Sequence, residues 1–219
     1  MKSESFPCEL VTWNDAYLLA KDLSRKIKYS GFSPDLVIAI GRGGYVPARV
    51  VCDFMLHDLL TCMKVEHWGV AAHKKDKAEV RFPLAVDVSG LKVLILDDVT
   101  DTGDTLQISV DYVGSLGPEE IRTGVLQHKI SSLFRPDYYS EKIVEWRWII
   151  YPWASYEDLV GFSERVLLKG PLTFEKTISE LERRFQIEVS GERMGEVLED
   201  LVNLGRVVKN GNLYSLVGD

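Results

Sequence analysis

The segment Val93–Thr105, VLILDDVTDTGDT, constrains the fold more than any other stretch of the chain. A short aliphatic run reads as a buried strand; two carboxylates, Asp97 and Asp98, close it, and a loop containing Thr and Gly leads into a helix. Strand, loop and helix in that order belong to an α/β sheet, whose strands bind ligands at their carboxyl ends. A loop that opens a helix presents unpaired backbone N–H groups and the positive end of the helix dipole. Thr100 to Thr105 therefore suit a phosphate monoester, with the Thr102 and Thr105 hydroxyls as further donors. The acidic pair can accept hydrogen bonds from a ribose diol. Phosphate and diol together point to a sugar phosphate. Taken alone, Asp97-Asp98 is equally an acidic strand end before a helix; the whole ordered segment favours the ligand.

The rest of the chain, to about residue 165, alternates helix and strand in the manner of βαβ units, which predicts an α/β fold with a parallel sheet. A first helix is expected from Thr12 to Lys28, with Ala16, Leu19, Leu23 and Ile27 on one face and Gly31 and Pro34 as its stop. Leu36–Ile40 reads as a strand, followed by GRGG, a helix over Val46–Leu60 and a strand near Cys62–Trp68. Residues 69–79 are polar and aperiodic, a candidate lid, with Val80–Leu84 as a returning strand. A helix is predicted over Gly103–Leu116, closed by Gly117 and Pro118, then strands at Thr123–Gln127 and Ile143–Ile150. Farther on, helices are expected at Tyr156–Leu168, Leu172–Phe185 and Ser190–Leu204, then a hairpin turning at Asn210-Gly211. The last helices and hairpin look like a small winged-helix unit, so the expected domains are residues 1–168 and 169–219.

The chain's 219 residues, 46% hydrophobic and 27% charged, are enough for one full domain with a sizeable core plus a small appendage. Three cysteines, Cys8, Cys52 and Cys62, have no CxxC spacing, and the N-terminus has no apolar stretch of signal-peptide type. A reduced, cytoplasmic setting without membrane attachment is the expectation. Twenty-six Lys plus Arg against 33 Asp plus Glu give a net charge of −7, which argues for a small-molecule ligand over nucleic acid.

Val93–Thr105 resembles, without a gap, the phosphoribosyl pyrophosphate signature of the type I phosphoribosyltransferases. The resemblance covers about residues 35–160. It implies that Asp97 and Asp98 hold the ribose hydroxyls and that Thr100, Asp101, Thr102, Gly103, Asp104 and Thr105 hold the 5-phosphate. It implies a hood, a flexible loop over 69–79 with His73, Lys74, Lys75 and Lys77, and a pyrophosphate loop at Ile40–Pro47. There Arg42, Gly43 and Gly44 fit, because glycine permits close backbone approach and arginine stays charged. Mg²⁺ is the implied cofactor, held mostly by substrate oxygens and water, with Asp97 and Asp98 beside it.

The acid at Asp101 is similar to that of the family's 6-oxopurine enzymes. A carboxylate near N7 can take the proton released as the ring nitrogen bonds to C1 of ribose, which makes Asp101 the candidate general base. Lys129 resembles the residue that donates to the 6-oxo group, and Trp148 and Ile149, before Pro152 and Trp153, resemble the base-clamping segment of the bacterial xanthine-guanine enzymes. Those enzymes carry an acid two positions after the matching tryptophan; here Ile150 stands there, so the choice among guanine, hypoxanthine and xanthine stays open. In layout the chain looks closest to archaeal purine phosphoribosyltransferases with a C-terminal extension.

The implied partners are phosphoribosyl pyrophosphate and a purine base, and a homo-oligomer is expected. The rival reading is a regulator that senses phosphoribosyl pyrophosphate and binds DNA through the winged helix. Against it, GERMGEVLED sets Glu192, Glu196, Glu199 and Asp200 against Arg193 alone, a helix that repels phosphates. Packing on the core, or an oligomer contact through Val197, Leu198, Leu201 and Leu204, is the preferred role for that stretch. A nucleotide hydrolase or kinase would need a metal-binding His cluster or a P-loop lysine, and neither is present in the sequence.

Overall fold

In a computed structural model the chain is described over residues 5–67 and 78–218. In chain order the elements are β1 (Cys8–Leu10), α1 (Trp13–Tyr29), β2 (Leu36–Gly41), α2 (Tyr45–Met55), β3 (Leu60–His67), β4 (Ala78–Phe82), β5 (Lys92–Thr100), α3 (Asp104–Gly114), β6 (Glu120–Lys129), β7 (Tyr138–Ile143), β8 (Trp148–Ile150), α4 (Ser155–Leu167), β9 (Leu172–Thr173), α5 (Phe174–Phe185), α6 (Gly191–Asn203), β10 (Val207–Asn210) and β11 (Leu213–Leu216). They form two compact units, Trp13–Trp146 and Met1–Thr12 with Arg147–Asp219.

The unit Trp13–Trp146 carries the expected α/β sheet, six strands in the order β4-β3-β2-β5-β6-β7, all parallel except the antiparallel β3–β4 pair. All six residues of β2 are buried, as a parallel strand with both faces covered requires. On one face Ile38, Ile40, Val93, Ile95 and Val125 pack with Leu106 and Val113 of α3. On the other, Leu23 of α1 and Leu96 crowd Gly124; a Cβ there would lie 2.8 Å from Leu96 Cδ2 and 3.6 Å from Leu23 Cδ1. Each fully buried leucine here contributes about 1.5–3 kcal/mol of apolar burial. α1 ends where predicted, with Gly31 at φ +79° turning the chain. α2 stops at Met55 rather than Leu60, because Leu56 turns left-handed and its N–H reaches back to Asp53 and Cys52 carbonyls, freeing Leu60 to start β3. Of the predicted loop 69–79, the residues up to 77, with His73, Lys74, Lys75 and Lys77, lie outside the described residues, and Ala78 opens β4.

The expected strand Ile143–Ile150 is instead two. β7 ends at Ile143 against β6, while β8 pairs in parallel with β1 in the other unit. In that unit Thr173 and Ser190 cap α5 and α6 by accepting from the amides of Lys176 and Arg193. The first two residues of the predicted helix Leu172–Phe185 pair with β11 as β9, giving a three-stranded sheet, β10-β11-β9, with Gly211 at φ +62° in the predicted hairpin turn. Ile150, Leu159, Phe162 and Val166 share one core with Leu181, Phe185, Met194, Val197, Leu198 and Leu201. The contacts therefore divide the chain elsewhere than at residue 168, since α4 buries its apolar face against α5 and α6. Val197, Leu198 and Leu201 are consumed by that core and are not free for an oligomer contact; Leu204 is exposed.

All three cysteines are free thiols. Burial pushes Cys8 up to about 12 and Cys52 up to about 11, so both stay un-ionised at neutral pH. Among the described residues no helix is long and apolar enough to cross a membrane.

Candidate active site

The acidic pair lies within β5, which runs farther than the apolar run Val93–Leu96. Its ladder with β6 continues through Asp97↔Val125, Val99↔Gln127 and Thr100↔His128, and the Thr100 hydroxyl lies 2.8 Å from His128 Nδ1. Burial, with Arg135 and Lys142 nearby, holds His128 below the ordinary imidazole range, so this tie is made by an uncharged ring. Asp97 is buried, and its Oδ1 accepts from the Asp98 amide at 2.9 Å. Burial first, and the Asp98 charge second, push the Asp97 carboxyl well above the usual range, only partly offset by that amide.

The phosphate-loop candidates follow directly. Gly103 takes φ +94°, and a Cβ on it would lie 2.5 Å from Phe134 Cβ and 2.7 Å from the Phe134 nitrogen. Leu133 N–H donates to the Thr102 carbonyl at 3.0 Å, and the Ser132 hydroxyl donates to the Phe134 carbonyl. Residues 132–134 thus form the floor of the loop, which nothing in the local pattern announced. The Thr102 hydroxyl donates to Asp104 Oδ2 at 2.9 Å, and α3 begins at Asp104 without a capping side chain. Gly103→Ala meets both a left-handed backbone and a backbone contact, whereas Gly117, at φ +76°, has open space around it. Thermal unfolding should show Gly103→Ala costing about 1–3 kcal/mol more than Gly117→Ala; equal losses would mean that the Phe134 contact yields freely.

The pyrophosphate candidates stand at the end of β2, the strand beside β5. The Gly41–Arg42 peptide is cis, Arg42 is exposed, and the Gly44 amide donates to the Ile40 carbonyl at 2.8 Å. A Cβ on Gly43 would fall 2.4 Å from Asp98 Oδ2. The fold therefore brings this loop against the acidic pair, and a side chain at 43 would have to displace the Asp98 carboxylate.

On the other side of β5 the structure joins Asp101 and Lys129. Lys129 Nζ lies 3.3 Å from Asp101 Oδ2, with the lysine side chain 3% exposed and the aspartate 34%. Trp146, absent from the sequence-derived site, completes the group: its Nε1 donates to Asp101 Oδ1 at 2.9 Å, and its ring carries Lys129 Nζ 4.8 Å from its centroid. Trp148 and Ile149 belong to the other unit. There Trp148 packs edge to face on Phe162 and donates to Asp158, Ile149 pairs with Glu9, and Trp153 stacks on Tyr151 at 4.8 Å. Ile150 is in that unit's core.

Among the described residues no group of three or more His, Cys, Asp or Glu could hold a metal by itself. The Asp97-Asp98 pair nevertheless fits a hydrated Mg²⁺ that arrives with a polyphosphate, because a cation beside it would offset the burial and the Asp98 repulsion that together raise Asp97.

Residues 9–158 match the phosphoribosyl transferase domain family. The chain is similar to hypoxanthine-guanine phosphoribosyltransferase of Saccharomyces cerevisiae, 23% identical over 74% of this chain and 92% of that one. It is 30% identical to xanthine-guanine phosphoribosyltransferase of Nitratidesulfovibrio vulgaris, over 66% of this chain and 83% of that one. A crystal structure of purine phosphoribosyltransferase from Pyrococcus horikoshii superposes with a TM-score of 0.59 at 29% identity, covering 67% of this chain and 93% of the other.

Proposed function

The chain belongs to the phosphoribosyl transferase domain family, and on that premise we propose that it is a purine-salvage enzyme. It transfers the 5-phosphoribosyl group of phosphoribosyl pyrophosphate to guanine, hypoxanthine or xanthine and releases pyrophosphate. The observation that carries the choice of base is the Lys129–Asp101 pair, a buried ammonium 3.3 Å from a half-exposed carboxylate. A 6-oxopurine offers on one edge an oxygen that accepts and, at N7, a proton that must leave. Lys129 donates to the oxygen and Asp101 accepts from N7. Adenine would turn an amino group toward an ammonium that has no lone pair. Relatives named for hypoxanthine, guanine and xanthine support the same class.

The other residues hold the sugar phosphate. Thr100 to Thr105 take the 5-phosphate on backbone amides and hydroxyls, Asp97 and Asp98 accept from the ribose hydroxyls, and Arg42, Gly43 and Gly44 take the pyrophosphate. As C1 parts from the pyrophosphate oxygen, which keeps the electron pair, the purine nitrogen forms the new bond and the N7 proton passes to Asp101. Bound beside Asp97 and Asp98, Mg²⁺ supplies charge neutralisation for the leaving group.

Assays with phosphoribosyl pyrophosphate, Mg²⁺ and each of guanine, hypoxanthine, xanthine and adenine are expected to give nucleotide from a 6-oxopurine and none from adenine. If the sugar phosphate binds and no base is consumed, the enzyme reading fails and a sensing role replaces it. Lys129→Met is expected to lower kcat/KM for the preferred base by about 10- to 100-fold, the worth of one hydrogen bond to a charged group. Unchanged discrimination against adenine in that variant would remove Lys129 from base recognition.

A further inference from the structure

Three neighbouring strand ends deliver three side chains to one point. Thr100 of β5 pairs with His128 of β6, and Lys129 of β6 pairs with Ile143 of β7. The residue after Thr100 is Asp101, and three residues past Ile143 stands Trp146, 37% exposed. The two oxygens of Asp101 have different partners: Oδ1 accepts from the Trp146 indole N–H at 2.9 Å, and Oδ2 faces Lys129 Nζ at 3.3 Å. The same indole turns its face to that ammonium at 4.8 Å. One rigid ring therefore bears on both members of the pair, on the carboxylate through its edge and on the cation through its face.

We propose that Trp146 is a positioning residue, holding the Asp101 carboxylate through Oδ1 so that Oδ2 is aimed at the proton it takes. This rests on the reading of Asp101 as proton acceptor. The rigidity matters because a carboxylate on a loop otherwise turns about two side-chain torsions, and proton transfer needs the acceptor oxygen within hydrogen-bond reach of the ring nitrogen. An indole lying under the ammonium also keeps Lys129 from swinging away when Oδ2 gives up its ion pair to the incoming base.

The test compares kcat and the purine KM for the full-length wild type, Trp146→Phe, Asp101→Asn and the double variant. Trp146→Phe keeps an aromatic face for Lys129 and removes the N–H donor together with the fused five-membered ring; 3-benzothienylalanine removes the N–H alone. It is expected to lower kcat about 10-fold, the worth of one hydrogen bond to a charged group, with the purine KM changed less than about 2-fold. In the Asp101→Asn background the same change is expected to cost less than about 2-fold in kcat, because two groups that act through each other are not additive. An unimpaired Trp146→Phe, or an equal loss in both backgrounds, overturns the proposal, as does a rise in KM alone, which would make Trp146 a base-stacking residue. Near-normal turnover of Asp101→Asn removes the base assignment and the role of Trp146 with it. A full Asp101→Asn loss beside an unimpaired Trp146→Phe removes the role of Trp146 alone. Should the phenylalanine variant fold poorly, 3-benzothienylalanine at position 146 keeps the bicyclic shape without the N–H, and the same kcat loss is expected.

Discussion

Asp101→Asn is expected to lower kcat for the preferred 6-oxopurine by about 10²- to 10⁴-fold while the protein still binds phosphoribosyl pyrophosphate. The amide is nearly the same size as the carboxylate and keeps one oxygen for the Trp146 N–H, so packing at the loop is conserved. What it loses is the capacity to take a proton and the charge that holds Lys129 at 3.3 Å. The effect therefore belongs in kcat, and titration with phosphoribosyl pyrophosphate should change little, because in the proposed site the phosphate meets residue 101 through its backbone amide, which the asparagine keeps. A variant that turns over at near the parental rate would mean that the proton leaves to water or to another group. The Lys129–Asp101 pair would then be a structural ion pair at a strand end.

The second large effect is a conflict between stability and function at Asp97. Its carboxyl is held well above the usual range by burial and by the neighbouring Asp98. A carboxyl whose folded value is raised favours the folded state below its unfolded value, where it is protonated in both states. That advantage is lost as the pH rises from the unfolded value through the folded one, because the unfolded chain gives up its proton freely while the folded chain must keep it or bury a charge. At neutral pH the ligand-free protein therefore carries a penalty at this position. Asp97→Asn removes it and is expected to stabilise the ligand-free chain by about 1 kcal/mol, a rise in Tm of roughly 2–4 °C. The gain should shrink as the pH falls toward about 4, the ordinary carboxylate value. On the proposed reading, in which Asp97 and Asp98 take the ribose hydroxyls, affinity for phosphoribosyl pyrophosphate with Mg²⁺ should fall in the same variant, since one of the two carboxyl groups is replaced by an amide. Thermal unfolding at pH 7 and near pH 4, with and without the sugar phosphate, reads both effects. A lower Tm at pH 7 would mean that Asp97 is charged and satisfied in the empty site.

Both predictions rest on residues legible from the chain alone, because Val93–Thr105 is a local pattern. An aliphatic strand, two carboxylates and a helix start lie within thirteen consecutive residues, and their periodicities and turn chemistry need no distant partner to be read. The same holds for the left-handed glycines that close α1 and the hairpin at Asn210-Gly211. These are short-range choices, where propensity, capping and hydrophobic period agree.

Wherever the answer depended on which strand lies beside which, local pattern was silent or misleading. Ile143–Ile150 reads as one strand, yet β7 and β8 pair in different sheets, because β6 claims the first part and β1 the second. Trp146 lies between them with nothing in its own neighbourhood to mark it. Its hydrogen bond to Asp101 spans 45 positions of sequence and exists because β5, β6 and β7 are adjacent in that order. The crowding at Gly43 likewise comes from the Asp98 carboxylate, on the next strand of the sheet. Sequence by itself determined the α/β class and singled out the acidic pair, the candidate phosphate loop and Asp101, since each is written in residues next to one another. Tertiary structure decided the partners of Asp101, the crowding at Gly43 and the floor beneath Gly103, because contacts between strand ends are set by the order of the sheet.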